Sequence, residues 1–108
     1  MSELEDRIVA VLMALHEGEV VAYGDVAHDA GFPGRARAVG SLLAGTDLEV
    51  PWWRVVRTDG RIATDPASGQ AALLRAEGVT VRAGRVVDAP IGRFRRSRHR
   101  GTSVRRRG

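Results

Sequence analysis

Two glycines and a proline within Gly31-Phe32-Pro33-Gly34 impose a tight turn between two segments that each have room for only a short helix. The first runs roughly from Asp25 to Ala30, the second from about Arg35 to Ala44. At 100° per residue, Ala36, Val39, Leu42 and Leu43 share one face of the second helix, which is expected to meet the core. The opposite face carries Arg37, Gly40, Ser41 and Ala44. One long cation among small side chains leaves a surface that another surface can approach closely. Short helix, tight turn and a helix with a polar outer face form the helix-turn-helix pattern.

The flanking segments fit around that unit. Ser2-x-x-Glu5 is a capping box, and Leu4, Ile8, Val11, Leu12 and Leu15 recur at spacings of three and four, which predicts a helix to about His16. Gly18 ends it, and Val20-Val21-Ala22 forms an extended link into Tyr23-Gly24. Arg54 to Arg57 and Arg61 to Ala63 flank Thr58-Asp59-Gly60, a hairpin signal that reads as a wing. Asp65, Pro66 and Gly78 bracket a helix from Pro66 to Glu77. Val79 to Arg82 and Arg85 to Val87, joined through Ala83-Gly84, predict a closing hairpin. The expected fold is mostly α with small β-hairpins, a winged helix-turn-helix.

Composition removes several alternatives. The chain has no cysteine, so neither a disulfide framework nor a thiolate zinc site is possible. His16, His28 and His99 lack ligand spacing, so neither a metal nor an organic cofactor is expected. No run of about 18 apolar residues suits a membrane span, and the acidic start lacks signal-peptide organisation; a cytoplasmic monomer is the expectation. Of the seventeen basic residues, all arginine, nine lie in residues 1–90 against thirteen acids. The other eight fall in residues 91–108, which contain no acid. The reading is therefore one domain over 1–88 and an Arg-rich tail over 89–108, expected to be disordered.

Five blocks then carry a resemblance: Glu19-Val20-Val21-Ala22-Tyr23-Gly24-Asp25-Val26-Ala27, Ala36-Arg37-Ala38-Val39-Gly40, Pro51-Trp52-Trp53-Arg54-Val55-Val56, Gly60, and Leu73-Leu74-Arg75-Ala76-Glu77-Gly78-Val79. In that order they resemble the C-terminal domain of O6-alkylguanine-DNA alkyltransferases, and more closely the alkyltransferase-like proteins, over about residues 4–88. The active enzymes carry Pro-Cys-His-Arg-Val, and Trp52 stands at the position of their alkyl-accepting cysteine. The resemblance implies minor-groove binding with the damaged guanine flipped into a pocket.

On the same basis Arg37 matches the finger that fills the space vacated by the flipped base. Taken from the helix alone, it reads equally well as a solvated arginine. Tyr23 matches the tyrosine that presses on the target nucleotide's phosphate, against the plainer reading of a core aromatic. Gly24, Ala38, Gly40 and Ser41 complete the implied DNA-binding surface. Tyr23, Pro51, Trp52, Trp53, Arg54 and Val55 form the implied lesion pocket, with Arg54 organising the site and Val55 walling it. Trp53 departs from the family, where His follows. It reads either as a structural residue or as one that touches the ligand. Thr64-Asp65-Pro66 does not match the enzymes' lid over the guanine, so the lid's polar contacts do not transfer.

The resulting expectation is a non-catalytic sensor of O6-alkylguanine in duplex DNA that passes the lesion to nucleotide excision repair proteins. A winged-helix transcription regulator without lesion specificity is the alternative. An enzyme is disfavoured, since the implied pocket holds no thiol, no His and no carboxylate pair for acid–base work. The tail is open to three readings: added phosphate contacts, a protein partner, or simple solubility.

Overall fold

The computed structural model describes residues 2–96. Helix α1 spans Glu3–Met13, and its cap is reciprocal. The Ser2 hydroxyl accepts the Glu5 N–H at 3.2 Å while the Glu5 carboxylate accepts the Ser2 N–H at 3.0 Å. The helix stops at Met13, short of the expected His16, because the chain turns toward Gly18 at φ +84°, with the Glu19 carboxylate accepting the His16 N–H. Strand β1 is Val21–Ala22. Helix α2 is Tyr23–Asp29, starting two residues before the expected Asp25. Asp25 is not its start but its third residue, reaching back to accept the Ala22 N–H at 2.9 Å. Helix α3 is Ala36–Gly45, one residue later than expected. Between α2 and α3, Gly31 and Gly34 both sit at positive φ, and the Phe32 N–H closes on the Ala27 carbonyl at 2.9 Å.

Trp52–Arg54 form a single 3₁₀ turn that leads into β2, Val55–Val56. The expected hairpin of two strands around Thr58-Asp59-Gly60 is only partly formed. Its turn is present, with the Gly60 N–H on the Arg57 carbonyl at 2.8 Å and the Arg57 N–H on that of Arg61 at 2.9 Å. Strand β2, however, pairs in parallel with β1, Val21 opposite Val55 and Ala22 opposite Val56, and Arg61 instead bridges to Arg85. The expected helix over Pro66–Glu77 is broken. A 3₁₀ turn over Pro66–Ser68, capped by Asp65, gives way at Gly69, φ +81°, to α4 over Gln70–Ala76. A left-handed residue cannot continue a right-handed helix. Strands β3, Thr80–Arg82, and β4, Arg85–Asp88, form the expected hairpin through Ala83 and Gly84, both at positive φ.

Two apolar clusters hold this together. One lies under the helix-turn-helix and includes Ile8, Leu12, Val21, Val26, Val39, Leu42 and Val55. The other gathers Val20, Val56, Leu74, Val79, Val81, Val86, Ala89 and Phe94. Consecutive strand side chains point to opposite faces, so Val55 enters the first cluster and Val56 the second. The β1–β2 pair is the seam between them.

The expected boundary at 88/89 moves. Ala89 and Phe94 are buried in the second cluster, and the Ile91 N–H bonds the Gly18 carbonyl at 3.2 Å. Arg93 grips both carboxylate oxygens of Asp25 at 2.8 and 2.9 Å. Two apolar residues suffice here because the β3–β4 hairpin has already formed the wall that they complete. The expected disorder of residues 97–108 lies outside the described residues. Among the described residues no helix is long and apolar enough to cross a membrane.

Glu77 joins the clusters through polar bonds. Its carboxylate accepts the Gly18 N–H at 2.8 Å, Trp53 Nε1–H at 2.8 Å, and Arg54 Nε–H and Nη2–H at 3.0 and 2.8 Å. Burial alone would raise its pKa. The bonds from Arg54, Gly18 and Trp53, with the Arg54 charge, outweigh that and hold it below 4.5. A folded-state pKa depressed in this way gives stability that is present above about 4.5 and lost as pH falls through the folded value. Thermal unfolding should therefore show stability declining below pH 4.5. Glu77→Gln should flatten that decline and cost about 2–3 kcal/mol at pH 7, since it leaves the largely enclosed Arg54 without its counter-charge. Gly60 sits at φ +90°, and a Cβ there would lie 2.7 Å from the Val86 carbonyl oxygen. Chemical denaturation of Gly60→Ala should show a loss of roughly 1–3 kcal/mol.

Candidate nucleic-acid interface

The outer face of α3 is open. Arg37, Ser41 and Ala44 are exposed and Gly40 is half-buried. With Tyr23, Ala36, Arg57 and Ala63 they line a groove of about 690 Å³. Ala36, expected on the core side, is half-buried and borders this groove instead. Gly24 lies at one end of the groove, in a shallow extension with Tyr23, Ala36, Arg57, Thr58 and Asp59. Ala38 is the exception among the expected DNA-binding residues. One helical step from Arg37, it turns toward α1 and borders a recess with Leu4, Glu5 and Ile8.

Behind the groove lies a narrower recess of about 240 Å³, lined by Tyr23, Gly40, Leu43, Ala44, Trp52, Ala63 and Thr64. It shares Tyr23, Gly40, Ala44 and Ala63 with the groove, so the two adjoin. Trp52 is half-buried and forms one wall. A second, larger recess that Trp52 also borders, about 750 Å³, is bounded by Met13, Leu43, Thr46, Leu48, Glu49, Val50, Pro51, Trp53 and Arg54. Of the expected pocket residues, Tyr23 and Trp52 thus meet in the inner recess, while Pro51, Trp53 and Arg54 border the outer one. Val55 joins neither. It is 1 % exposed, and strand alternation turns its side chain into the core.

Arg54 organises the turn that carries both tryptophans. Besides its bonds to Glu77, its Nη1–H donates to the Leu15 carbonyl at 3.0 Å. Trp53 takes part in the same arrangement, with the Arg54 guanidinium carbon 5.3 Å from its ring centroid. Gln70, buried at the start of α4, donates to the carbonyls of Trp53 and Val55, both at 3.0 Å. Its carboxamide oxygen accepts the Thr64 hydroxyl at 2.6 Å, which ties the wall of the inner recess to the same turn.

The electrostatics of the groove are set by two cations without an acidic partner among the described residues, Arg37 and Arg57. Asp59 has its pKa lowered by the Arg61 N–H, against burial, and by the charges of Arg85 and Arg61, which occupy it at 3.8 and 3.6 Å. Arg57 is left free to face Tyr23. The Tyr23 phenol is pushed up by burial and drawn partly back by Arg57, which keeps it a neutral hydroxyl at physiological pH. Among the described residues, no group of His, Asp or Glu is placed to hold a metal.

Arg57, Ala63, Gln70 and Glu77 are site residues that the sequence did not single out. Each owes its place to a contact remote in sequence. The only local signal was Asp-Gly beside Arg57, which marks a turn but not the direction of the side chain.

A family model described as 6-O-methylguanine DNA methyltransferase, DNA binding domain, matches residues 3–79. The chain is 35% identical over 85 residues to a DNA base-flipping protein of Vibrio parahaemolyticus serotype O3:K6, an alignment covering 75% of this chain and 85% of that protein. It is 44% identical over 81 residues to a DNA base-flipping protein of Escherichia coli K12, covering 69% of this chain but spanning only 61% of that longer protein. The fold superposes with a TM-score of 0.68 on Atl1 of Schizosaccharomyces pombe, crystallised with damaged DNA containing O6-carboxymethylguanine. The identity there is 28%, over 76% of this chain and 82% of that one. This chain belongs to the 6-O-methylguanine DNA methyltransferase DNA-binding domain family as an alkyltransferase-like member, with an indole at position 52 where the enzymes' signature carries its thiol.

Proposed function

We propose that this protein is a non-catalytic sensor that binds O6-alkylguanine in duplex DNA from the minor groove and holds the lesion flipped out of the stack. The observation that carries this reading is the adjacency of two cavities. The groove beside Arg37 adjoins a recess lined by Tyr23 and Trp52. Small residues along α3 let the helix lie close to the duplex, and Arg37 enters the stack as the base leaves it. Extruding a base costs a few kcal/mol, and a planar guanidinium recovers part of that by stacking. Tyr23 meets the phosphate of the rotated nucleotide, and the Trp52 indole provides a flat wall for the base. The relatives named for base flipping, and the similar chain bound to O6-carboxymethylguanine DNA, support the assignment.

Alkyl transfer has no acceptor here, because the chain contains no cysteine and an indole does not accept an alkyl group under physiological conditions. The protein is therefore a marker and not a repair enzyme, and excision is left to other proteins. Nucleotide excision repair proteins are the partners that this division of labour requires. The exposed cations Arg37 and Arg57 give the complex its salt-dependent part.

Binding to matched duplexes bearing guanine or O6-methylguanine, measured across a salt series, should favour the lesion at every ionic strength. Equal affinities would defeat the lesion reading, and preference for one undamaged sequence would turn it into that of a transcription regulator. Arg37→Ala should weaken binding to both duplexes by about tenfold or more. Trp52→Ala should mainly erode discrimination, by roughly 5- to 150-fold, the range for loss of one stacked base. Mass spectrometry after incubation with O6-methylguanine duplex should show neither methylated protein nor released base.

A further inference from the structure

We propose that Trp53 is a positioning residue. It fixes the orientation of the Trp52 indole before any base arrives, and so sets how well the site distinguishes a damaged guanine. The inference rests on the lesion-binding reading above.

The two rings stand edge to face, with centroids 6.0 Å apart and planes at 90°. That arrangement sets the positive edge of one ring against the negative face of the other. Trp53 is held from several sides. Its Nε1–H donates to Glu77 Oε2 at 2.8 Å, Arg54 lies over its ring at 5.3 Å, and its carbonyl accepts from Gln70 Nε2 at 3.0 Å. Glu77 is itself anchored by Arg54 and by the Gly18 N–H.

Trp52 has no such anchors. Its indole makes no hydrogen bond among the described residues; it packs against the first apolar cluster and borders two recesses, of about 240 and 750 Å³. A part-buried ring beside open space and without a polar anchor keeps more than one side-chain conformation open. The ring of Trp53 narrows that choice from one side. A wall ordered in advance loses less conformational freedom when a ligand stacks on it. Trp53 borders neither the groove beside Arg37 nor the inner recess. Its influence therefore passes through Trp52 and leaves general DNA affinity alone.

The chain has two tryptophans, so Trp53→Phe and Trp53→Leu each leave Trp52 as the sole indole in the full chain. Time-resolved fluorescence anisotropy of the free protein should show a larger fast component in Trp53→Leu than in Trp53→Phe, because only phenylalanine keeps an aromatic ring against Trp52. In Trp53→Leu the preference for O6-methylguanine over guanine duplex should fall about three- to tenfold relative to Trp53→Phe, with the two variants within about twofold of each other on undamaged duplex, as expected for one aromatic pair. Trp53→Phe should retain most of the preference. Equal anisotropy in the two variants, or an unchanged preference in Trp53→Leu, overturns the proposal. If Trp53→Leu does not fold, Trp53→Met takes its place with the same expectations. A parent protein that shows no preference would remove the lesion reading alone, and the anisotropy comparison would still decide the role of Trp53.

Discussion

The ion pair between Arg54 and Glu77 governs the geometry of this small protein. Their side chains are 14% and 11% exposed, and every bond around them spans segments far apart in sequence. Removing two charges from water is costly, and their mutual attraction alone seldom outweighs that cost. Here the carboxylate also accepts from a backbone N–H and an indole N–H, and the guanidinium also donates to a carbonyl. The gain is specificity of arrangement. The end of α4, the loop after α1 and the tryptophan turn are brought to one point, and the turn is left with a single orientation.

From that point the rest of the architecture follows. The parallel β1–β2 pair divides the interior into two apolar clusters, and the tryptophan turn feeds directly into it. Helix α3 packs on one cluster while Ala63 and Thr64 descend from the other side. The gap between these elements is the inner recess. The cavity is a product of how the two halves meet, which explains why its walls come from α2, α3, the tryptophan turn and the segment after the wing.

Local pattern in the sequence revealed much of this. The periodicity of α1, the breakers at Gly31 and Pro33, the outward Arg37 and the Ala83-Gly84 hairpin are readable because each depends on neighbouring residues. Arg37 needed only the angular step of a helix. The misplacements have a common physical origin. Val55 reads as a pocket wall from its place after the signature tryptophans, but its direction is set by pairing with Val21, remote in the chain. The break at Gly69 depends on Gln70 being drawn under the tryptophan turn to cap two carbonyls there. Residues 89–96 looked too polar to pack, and only the finished hairpin supplies the surface that receives Phe94. Glu77 could be seen as the end of a helix, but nothing nearby announced its partners.

The β1–β2 ladder has a further consequence. One strand precedes the helix-turn-helix in the chain and the other follows it, and the pair has only two rungs. Among the described residues neither strand has another partner, so the helix-turn-helix cannot be lifted out as a transplantable module. Closing that ladder requires the helical unit and the tryptophan turn to be assembled together, which ties the folding of the one to the formation of the recess behind it. Evolution or engineering that seeks to retarget one must carry the other along.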